Sequence, residues 1–263
     1  MSANLPTKKP VGKIEKKWVA LFVYPLWIVV AFIFTQFLLA GVVIGSVRIP
    51  GVLALLNTAG VPLSDMSQNV LMVIVSVLIY GLTLATVLGV PVWAKKQKIS
   101  LAQLGLQRLP SWGDIAIAPF ALIPWFLLSA LFLYTATLLF PALDLNQAQD
   151  VGFTLKNTMQ DQLILAFIGL VVLAPLAEET LFRGYLYGKL RAHFGMVPTT
   201  LVVSLLFAAV HWQWNVGIDV FALSLVLCAL RETTDSIWAG VLVHMLKNGI
   251  AFYMLALAPS LIH

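Results

Sequence analysis

Residues 18–47 form an unbroken stretch without a charged side chain, and this feature most limits the possible folds. Two similar stretches follow at residues 66–94 and 115–143. Each is longer than the roughly 20 apolar residues that an α-helix needs to cross the hydrocarbon core of a bilayer. Charged residues make up 10% of the chain, against about 25% in a typical soluble domain. The chain is therefore expected to be a multi-pass helical membrane protein rather than a soluble one.

The distribution of Lys and Arg predicts how the chain is oriented in the membrane. Five lysines lie in the first 17 residues, ahead of the first uncharged stretch. The loop between the second and third stretches is also basic and carries Lys95, Lys96, Lys98 and Arg108. Because cytoplasmic loops are enriched in basic residues, we expect the amino terminus and this loop on the cytoplasmic side. The lysines are not interleaved with aromatic residues, so we expect no nucleic-acid partner.

The second half of the chain has shorter apolar runs that charged residues interrupt. Turn residues and charges predict helices at about residues 160–193, 198–213, 217–231 and 236–258. A further helix at about residues 150–160 has few strong apolar groups and is expected at the outer surface. Leucines spaced through residues 99–109 predict a short interfacial segment rather than another span.

These segments together predict an all-α polytopic membrane protein with seven to eight transmembrane helices. We divide the chain into a basic cytoplasmic amino-terminal tail, residues 1–17, and one domain, residues 18–263. Within that domain, residues 18–150 hold transmembrane helices without motifs. Residues 151–263 form a motif-bearing transmembrane region.

Six polar residues of the second half fall inside the predicted transmembrane helices. They are Glu178, Glu179, Arg183, His211, His244 and Asn248. Ionisable groups are costly in lipid and normally face a cavity or a partner. Helix rise from the cytoplasmic ends puts Glu178, His211 and Asn248 at depths of about 20 Å and His244 at about 13 Å. Three separate helices therefore bring polar groups to comparable depths, which indicates a common site.

The two glutamates are predicted to have different roles. Glu179 and Arg183 are four residues apart, so they can pair along one face of a helix. Glu178 points to a different side of that helix. A carboxylate in a low-dielectric cavity is a stronger base than one in water, which suits it to general-base catalysis. Glu178 is therefore the candidate base.

The remaining three residues suit the other steps of amide hydrolysis. His211 is expected to assist the base by holding a water molecule. His244 and Asn248 are four residues apart on one helix face, where both can donate hydrogen bonds to an oxyanion. The set predicts hydrolysis of an amide without a covalent nucleophile.

A zinc site is the alternative assignment for the same region. Glu178, His211 and His244 supply one carboxylate and two imidazoles, a set that catalytic zinc accepts. Against it, the chain has no HExxH sequence and a single cysteine, Cys228. The amide of Asn248 also suits oxyanion donation better than zinc binding. We therefore expect a site that works without a metal or other cofactor.

Three short motifs carry a resemblance to a known family. Residues 174–184 (APLAEETLFRG) resemble the EExxxR motif of the CPBP family, the CAAX proteases and bacteriocin-processing enzymes also called the Abi family. Residues 207–211 (FAAVH) resemble its FxxxH motif, and residues 244–248 (HMLKN) resemble its HxxxN motif. All three occur in the family's order on separate predicted helices. The resemblance covers residues 162–258, while the first three helices match in hydropathy alone.

This resemblance implies an intramembrane endopeptidase of the glutamic type, with eight helices around a polar cavity that faces the cytosol. The implied roles are water activation by Glu178 with His211, an oxyanion site of His244 and Asn248, and support from Glu179 and Arg183. The implied partners are membrane lipid and a peptide or lipidated protein that is cut near the cytoplasmic face. The family includes CAAX-trimming enzymes and prokaryotic proteins of peptide maturation or bacteriocin immunity. The loop-poor build favours a prokaryotic plasma membrane.

Two other classes of function stay open at this point. A non-enzymatic immunity or scaffold protein would keep the motifs for structure, since polar side chains often bridge membrane helices. A small-solute or proton transporter would use Glu178 and the histidines as a relay, but the chain has no internal repeat, which disfavours it. Lys247 has three open roles: snorkelling to the interface, contacting a lipid phosphate, or meeting an acidic end of a substrate.

Overall fold

The computed structural model describes residues 11–48, 68–96, 98–145, 147 and 160–257, and these residues contain seven helices. The first three are α1 (Val11–Arg48), α2 (68–95) and α3 (Trp112–Leu139). The other four are α4 (160–191), α5 (Met196–Ala209), α6 (Trp214–Thr234) and α7 (238–257). The described part of the chain contains no β-strand, so the predicted all-α class is confirmed.

Five of the described helices are long and apolar enough to cross a membrane. They are the apolar parts of α1, α2, α3, α4 and α7. Helix α5 has 14 residues, which is shorter than the roughly 20 that a full crossing requires. Helix α6 has 21 residues, but it carries Asp219, Arg231 and Glu232. The chain is thus a polytopic membrane protein with at least five candidate spans among its described residues.

The helices of the second half begin and end close to the predicted positions. The predicted helix at 160–193 is α4, and those at 198–213, 217–231 and 236–258 are α5, α6 and α7. Prediction succeeds here because Gly195 and Asp235 mark real ends: Gly195 is the N-cap of α5, and Asp235 ends α6 with a left-handed backbone at φ 51°. The predicted helix near residues 150–160 lies largely outside the described residues.

Helix α4 changes its winding on both sides of the acidic pair. A π-helical segment, Ile168–Leu173, comes immediately before Ala174–Glu179, and a second, Thr180–Leu186, comes immediately after it. Pro175 lacks an N–H, and its ring crowds the carbonyl four residues earlier, so a wider turn before it keeps the helix continuous. The altered winding changes the direction in which the side chains of the acidic pair leave the helix.

The packing of α4 against α2 and α7 positions the site. Helix α7 also packs against α3, and α6 lies between α3 and α5. One buried cluster joins Leu186, Val203 and Phe207 of α4 and α5 with Val87 of α2. The site therefore lies where α2, α4 and α7 pack together, and Phe207 of α5 contacts side chains of both α4 and α7.

The basic loop after α2 packs closely against α4. Leu104 is buried, and the carbonyls of Gln103 and Leu104 lie against two glycines of α4. A Cβ at Gly184 would lie 3.0 Å from the Leu104 oxygen, and one at Gly188 would lie 3.0 Å from the Gln103 oxygen. Glycine is needed at both positions because the loop backbone approaches the helix so closely.

The same loop is hydrogen-bonded to the start of α7. The carbonyl of Gly105, which has φ +71°, accepts from the backbone N–H of Ile237 and from Oγ of Ser236, each at 3.1 Å. Leu101 and Leu109 are exposed, as an interfacial segment requires, whereas the middle of the loop is buried. The loop therefore ties α4 to α7 at the end of the bundle predicted to be cytoplasmic.

Candidate active site

The adjacent glutamates of α4 occupy different environments. The side chain of Glu179 is fully buried, whereas that of Glu178 is 17% exposed. Consecutive residues of a helix point about 100° apart, so one faces the packed core while the other reaches an accessible space. This agrees with the different roles predicted for them.

Glu179 is the centre of a buried ionic network. Its Oε1 accepts a hydrogen bond from Nη1 of Arg183 at 2.8 Å, and both side chains are fully buried. The same oxygen lies 3.0 Å from Nδ1 of His244. The predicted i,i+4 pair is confirmed, and the network also joins α4 to α7.

Glu178 faces two partners with its two oxygens. Its Oε1 accepts a hydrogen bond from the phenol of Tyr80 on α2 at 2.6 Å. Its Oε2 lies 3.8 Å from Nε2 of His244. His244 therefore stands between the two glutamates, with one ring nitrogen toward each of them.

Tyr80 was missed by sequence reasoning. It lies in an uncharged stretch of α2, 98 positions from Glu178, and no spacing rule connects the two residues. The available signal was weak: a polar aromatic side chain in the middle of a predicted span needs a hydrogen-bond partner when it is buried.

His211 lies just beyond the end of α5. Its Nδ1 is 2.7 Å from the carbonyl oxygen of Phe207. A carbonyl only accepts hydrogen bonds, so Nδ1 carries the hydrogen, and Nε2 in the neutral ring is an acceptor. That nitrogen has an acceptor lone pair, which the water-holding role predicted for His211 would require.

Phe207, the first residue of the FxxxH motif, holds the two imidazoles and the arginine together. Its ring centroid is 5.0 Å from that of His211 and 5.8 Å from that of His244, both in edge-to-face contact. The guanidinium carbon of Arg183 lies 4.4 Å from the same centroid, a cation–π contact. The ring is fully buried, so it fixes the relative positions of these three side chains.

Asn248 makes a different contact from the other motif residues. Its Nδ2 donates to the carbonyl of Leu170 at 3.0 Å. Leu170 lies in the first π-helical segment of α4, so this bond ties α7 to α4 one turn away from His244. The amide has a second N–H, which the oxyanion role predicted for Asn248 would require.

A second polar cluster lies on α6, α7 and α3. Nζ of Lys247 is 3.0 Å from Oδ2 of Asp219, and the two side chains are 11% and 21% exposed. Oδ1 of Asp219 accepts from Nε1 of Trp125 at 3.0 Å and from Oγ of Ser129 at 2.6 Å. The structure therefore gives Lys247 an ion pair inside the bundle, a role beyond the three that the sequence left open.

The described residues contain no group of three or more His, Cys, Asp and Glu side chains arranged to hold a metal ion. Glu178, His211 and His244, the residues of the zinc alternative, do not form such a group. His244 instead has Nδ1 on Glu179, and His211 has Nδ1 on a backbone carbonyl. Each of the two histidines therefore has only Nε2 left for another ligand, because its Nδ1 is already in a hydrogen bond.

An apolar cavity of 710 Å³ lies between α3, α4 and α7. Its lining includes Ala118, Val171 and Met245, and Met245 directly follows His244. None of the six motif residues lines this cavity, which is open to the surface, and lining residues such as Phe167 and Ile250 are exposed.

Fold and site together define a polytopic membrane protein with a buried Glu–Arg–His network beside a partly exposed glutamate. Residues 160–250 match the family model of the type II CAAX prenyl endopeptidases, Rce1-like. This region, from the start of α4 to the HxxxN motif, is thus similar to the CAAX proteases, in agreement with the resemblance that the three motifs carry. The match identifies a family of proteases.

A protein of Escherichia coli, described as an uncharacterized 24.3 kDa protein, is 34% identical to this chain over 87 residues. The alignment covers 31% of this chain and 40% of the relative, so the chain spans well under half of the protein it matches. No solved structure matches this chain.

Proposed function

We propose that this protein is an intramembrane endopeptidase in which Glu178 activates a water molecule to hydrolyse a peptide bond. The observation that carries the proposal is the position of Glu178: a partly exposed carboxylate between Tyr80 and His244, beside the fully buried Glu179–Arg183 pair. A base must be accessible to water, while its surroundings must be rigid and poorly solvated. This arrangement meets both requirements.

The proposed reaction begins with a water molecule held between Glu178 and Nε2 of His211. The water O–H bond breaks as its proton passes to Glu178, and the oxygen forms a bond to the peptide carbonyl carbon. The resulting oxyanion accepts hydrogen bonds from Nε2 of His244 and the second N–H of Asn248. The carbon–nitrogen bond then breaks, and the proton on Glu178 passes to the leaving amine.

The oxyanion role sets a condition on His244. Its Nδ1 faces the carboxylate of Glu179 and donates to it, so donation from Nε2 requires that both ring nitrogens carry hydrogen. The proposal therefore uses His244 as an imidazolium when the oxyanion forms. Glu179 and Arg183 hold the ring in place and are supporting residues.

We propose that this chemistry requires no metal. The amide of Asn248 is a poor zinc ligand, and Glu178, His211 and His244 are not arranged as a metal-binding group among the described residues. Elemental analysis of active protein, followed by long treatment with a chelator, tests this. Near-stoichiometric zinc, with activity lost on its removal and restored on its return, would reverse the assignment.

We propose a peptide or lipidated protein as the substrate, cut near the cytoplasmic face of a prokaryotic plasma membrane. The basic amino terminus and the basic loop 95–108 support a cytoplasmic location for the nearby helix ends. The apolar cavity between α3, α4 and α7 supports a substrate with an apolar portion. A reporter fused to the amino terminus should be accessible from the cytoplasm.

The test compares cells that carry wild-type protein, Glu178→Gln or Glu232→Gln. Glu232→Gln is the matched control, because the same change is made at the far end of α6, where Glu232 pairs with Arg191. Proteomics of the membrane fractions should find a peptide that changes length in the Glu178→Gln cells alone. Equal amounts of the two variants must be present. If the peptides in the membrane fraction of the Glu178→Gln cells are the same as those of wild-type cells, a non-enzymatic scaffold or immunity role replaces the proposal.

A further inference from the structure

The phenol of Tyr80 touches the proposed base from a helix that lies outside the family match. Tyr80 is on α2, whereas the match covers residues 160–250. Its Oη lies 2.6 Å from Oε1 of Glu178. Between a hydroxyl and a carboxylate this is a short, charge-assisted hydrogen bond, roughly twice as strong as a neutral one.

The bond makes the two oxygens of Glu178 unequal. Oε1 accepts from the phenol, and this donation draws electron density from it. Oε2 faces Nε2 of His244 at 3.8 Å, a separation longer than a hydrogen bond. Among the described residues Oε2 has no direct hydrogen bond and is thus the oxygen open to accept a proton, and it lies on the side of the imidazole proposed to bind the oxyanion.

We propose that Tyr80 is a positioning residue for the base: its hydrogen bond holds the Glu178 carboxylate so that Oε2 is the oxygen that accepts the proton. This inference rests on the proposed function of Glu178. In the step, the water O–H bond breaks, its proton bonds to Oε2, and the hydroxide oxygen keeps the electron pair for attack on the carbonyl carbon. Tyr80 keeps its own hydrogen throughout.

Packing alone does not explain a tyrosine at this position. Residues 68–84 of α2 pack against residues 160–179 of α4, and an apolar ring at position 80 would fill much of the same space. The hydroxyl adds one directed donor at the carboxylate, which an apolar ring lacks. The expected consequence is a loss of rate rather than of substrate binding when the hydroxyl is removed.

The contact is tested without reference to activity by placing 3-fluorotyrosine at position 80 and recording its ¹⁹F resonance. Replacing Glu178 by Gln should shift this resonance, because the acceptor loses its charge. The matched control carries 3-fluorotyrosine at Tyr134 on α3, whose side chain is 64% exposed, and its resonance should not move. A resonance at position 80 that does not respond to Glu178→Gln overturns the inference, whatever the protein catalyses.

Kinetics then test the positioning role on the peptide found by proteomics. Tyr80→Phe should lower kcat by about ten- to a hundredfold, the range expected for one charge-assisted hydrogen bond, and leave KM within about twofold. Tyr134→Phe should leave both constants unchanged. In a Glu178→Gln background, Tyr80→Phe should cause no further loss, because it acts through Glu178. An equal loss in both backgrounds overturns the inference. Full turnover by Glu178→Gln would instead refute the proposed function.

Discussion

Nδ1 of His244 lies 3.0 Å from Oε1 of Glu179, and this contact joins two motifs that are 65 positions apart in the chain. The same oxygen accepts the hydrogen bond of Arg183. Glu179 therefore serves as the common acceptor for a cation of its own helix and an imidazole of α7. Its neighbour Glu178 is left free to face the accessible side of the site.

Arg183→Ala should destabilise the protein more than any change at an exposed ion pair. Removing the guanidinium leaves the fully buried carboxylate of Glu179 without its cation, and breaking such a pair costs about 3–5 kcal/mol. Thermal unfolding in detergent should show a clearly lower Tm, together with lower accumulation in membranes. The control is Arg191→Ala, which breaks the more exposed pair with Glu232 and should change Tm little. Equal Tm values for the two variants would contradict the role given to Arg183.

Gly240→Ala should displace the carboxylate of Glu179. A Cβ at position 240 would lie 3.2 Å from Oε2 of Glu179, closer than ordinary van der Waals contact. Overpacking of this kind costs about 1–3 kcal/mol, and here it also moves the acceptor that holds His244. The control is Gly249→Ala on the same helix, where a Cβ meets Val171 at an ordinary 3.7 Å. Tm and turnover should fall for Gly240→Ala and stay close to wild type for the control.

Lys247→Met should destabilise the protein through Asp219. The change keeps the hydrogen bonds of Asp219 to Trp125 and Ser129 but removes its cation. The free energy of unfolding should fall by about 2 kcal/mol, because the pair is less exposed than a surface pair and less buried than a core pair. The double variant Asp219→Asn with Lys247→Met should recover much of the lost Tm, because no uncompensated charge remains. A double variant no more stable than Lys247→Met would show that Lys247 acts on lipid or substrate instead.

The end of α6 should contribute a pH-dependent part of the stability. The hydrogen bonds from Arg191 and then Tyr187 lower the pKa of the Glu232 carboxyl below its usual range. Because the pKa is lower in the folded than in the unfolded state, this stabilisation is present at neutral pH and is lost as the pH falls through the acidic range. Tm measured from neutral pH down to about pH 4 should fall less steeply for Glu232→Gln than for wild type. Parallel curves would show that the contact contributes no pH dependence.

The helices were predictable because their signals are local. The uncharged stretches, together with Gly195 and Asp235, mark where helices begin and end through hydropathy and backbone conformation alone. The pairing of Glu179 with Arg183 follows from helical spacing in the same way. Comparable depth from the cytoplasmic ends predicted a polar region shared by α4, α5 and α7, and Phe207 of α5 contacts Arg183 of α4 and His244 of α7.

The contacts between distant helices were not predictable from such signals. Tyr80 reaches Glu178 from α2, and Asp219 meets Lys247 from α6, although neither pair has any informative spacing. The docking of loop 99–109 on Gly184 also depends on how close two backbones come. Such contacts depend on the rotation and approach of whole helices, which a single hydropathy pattern leaves open.

The amino-acid sequence by itself determined the class of this protein, the helices and the types of side chain available for chemistry. These follow from the cost of charge in lipid and from the period of the helix, both of which act over short distances along the chain. Only the tertiary structure decided which glutamate is buried, which nitrogen of His244 faces it, and which oxygen of Glu178 receives the phenol of Tyr80. The physical reason is that a hydrogen bond forms only when donor and acceptor are correctly oriented and their separation is right to within a few tenths of an ångström. Only the packed helices define these distances and orientations.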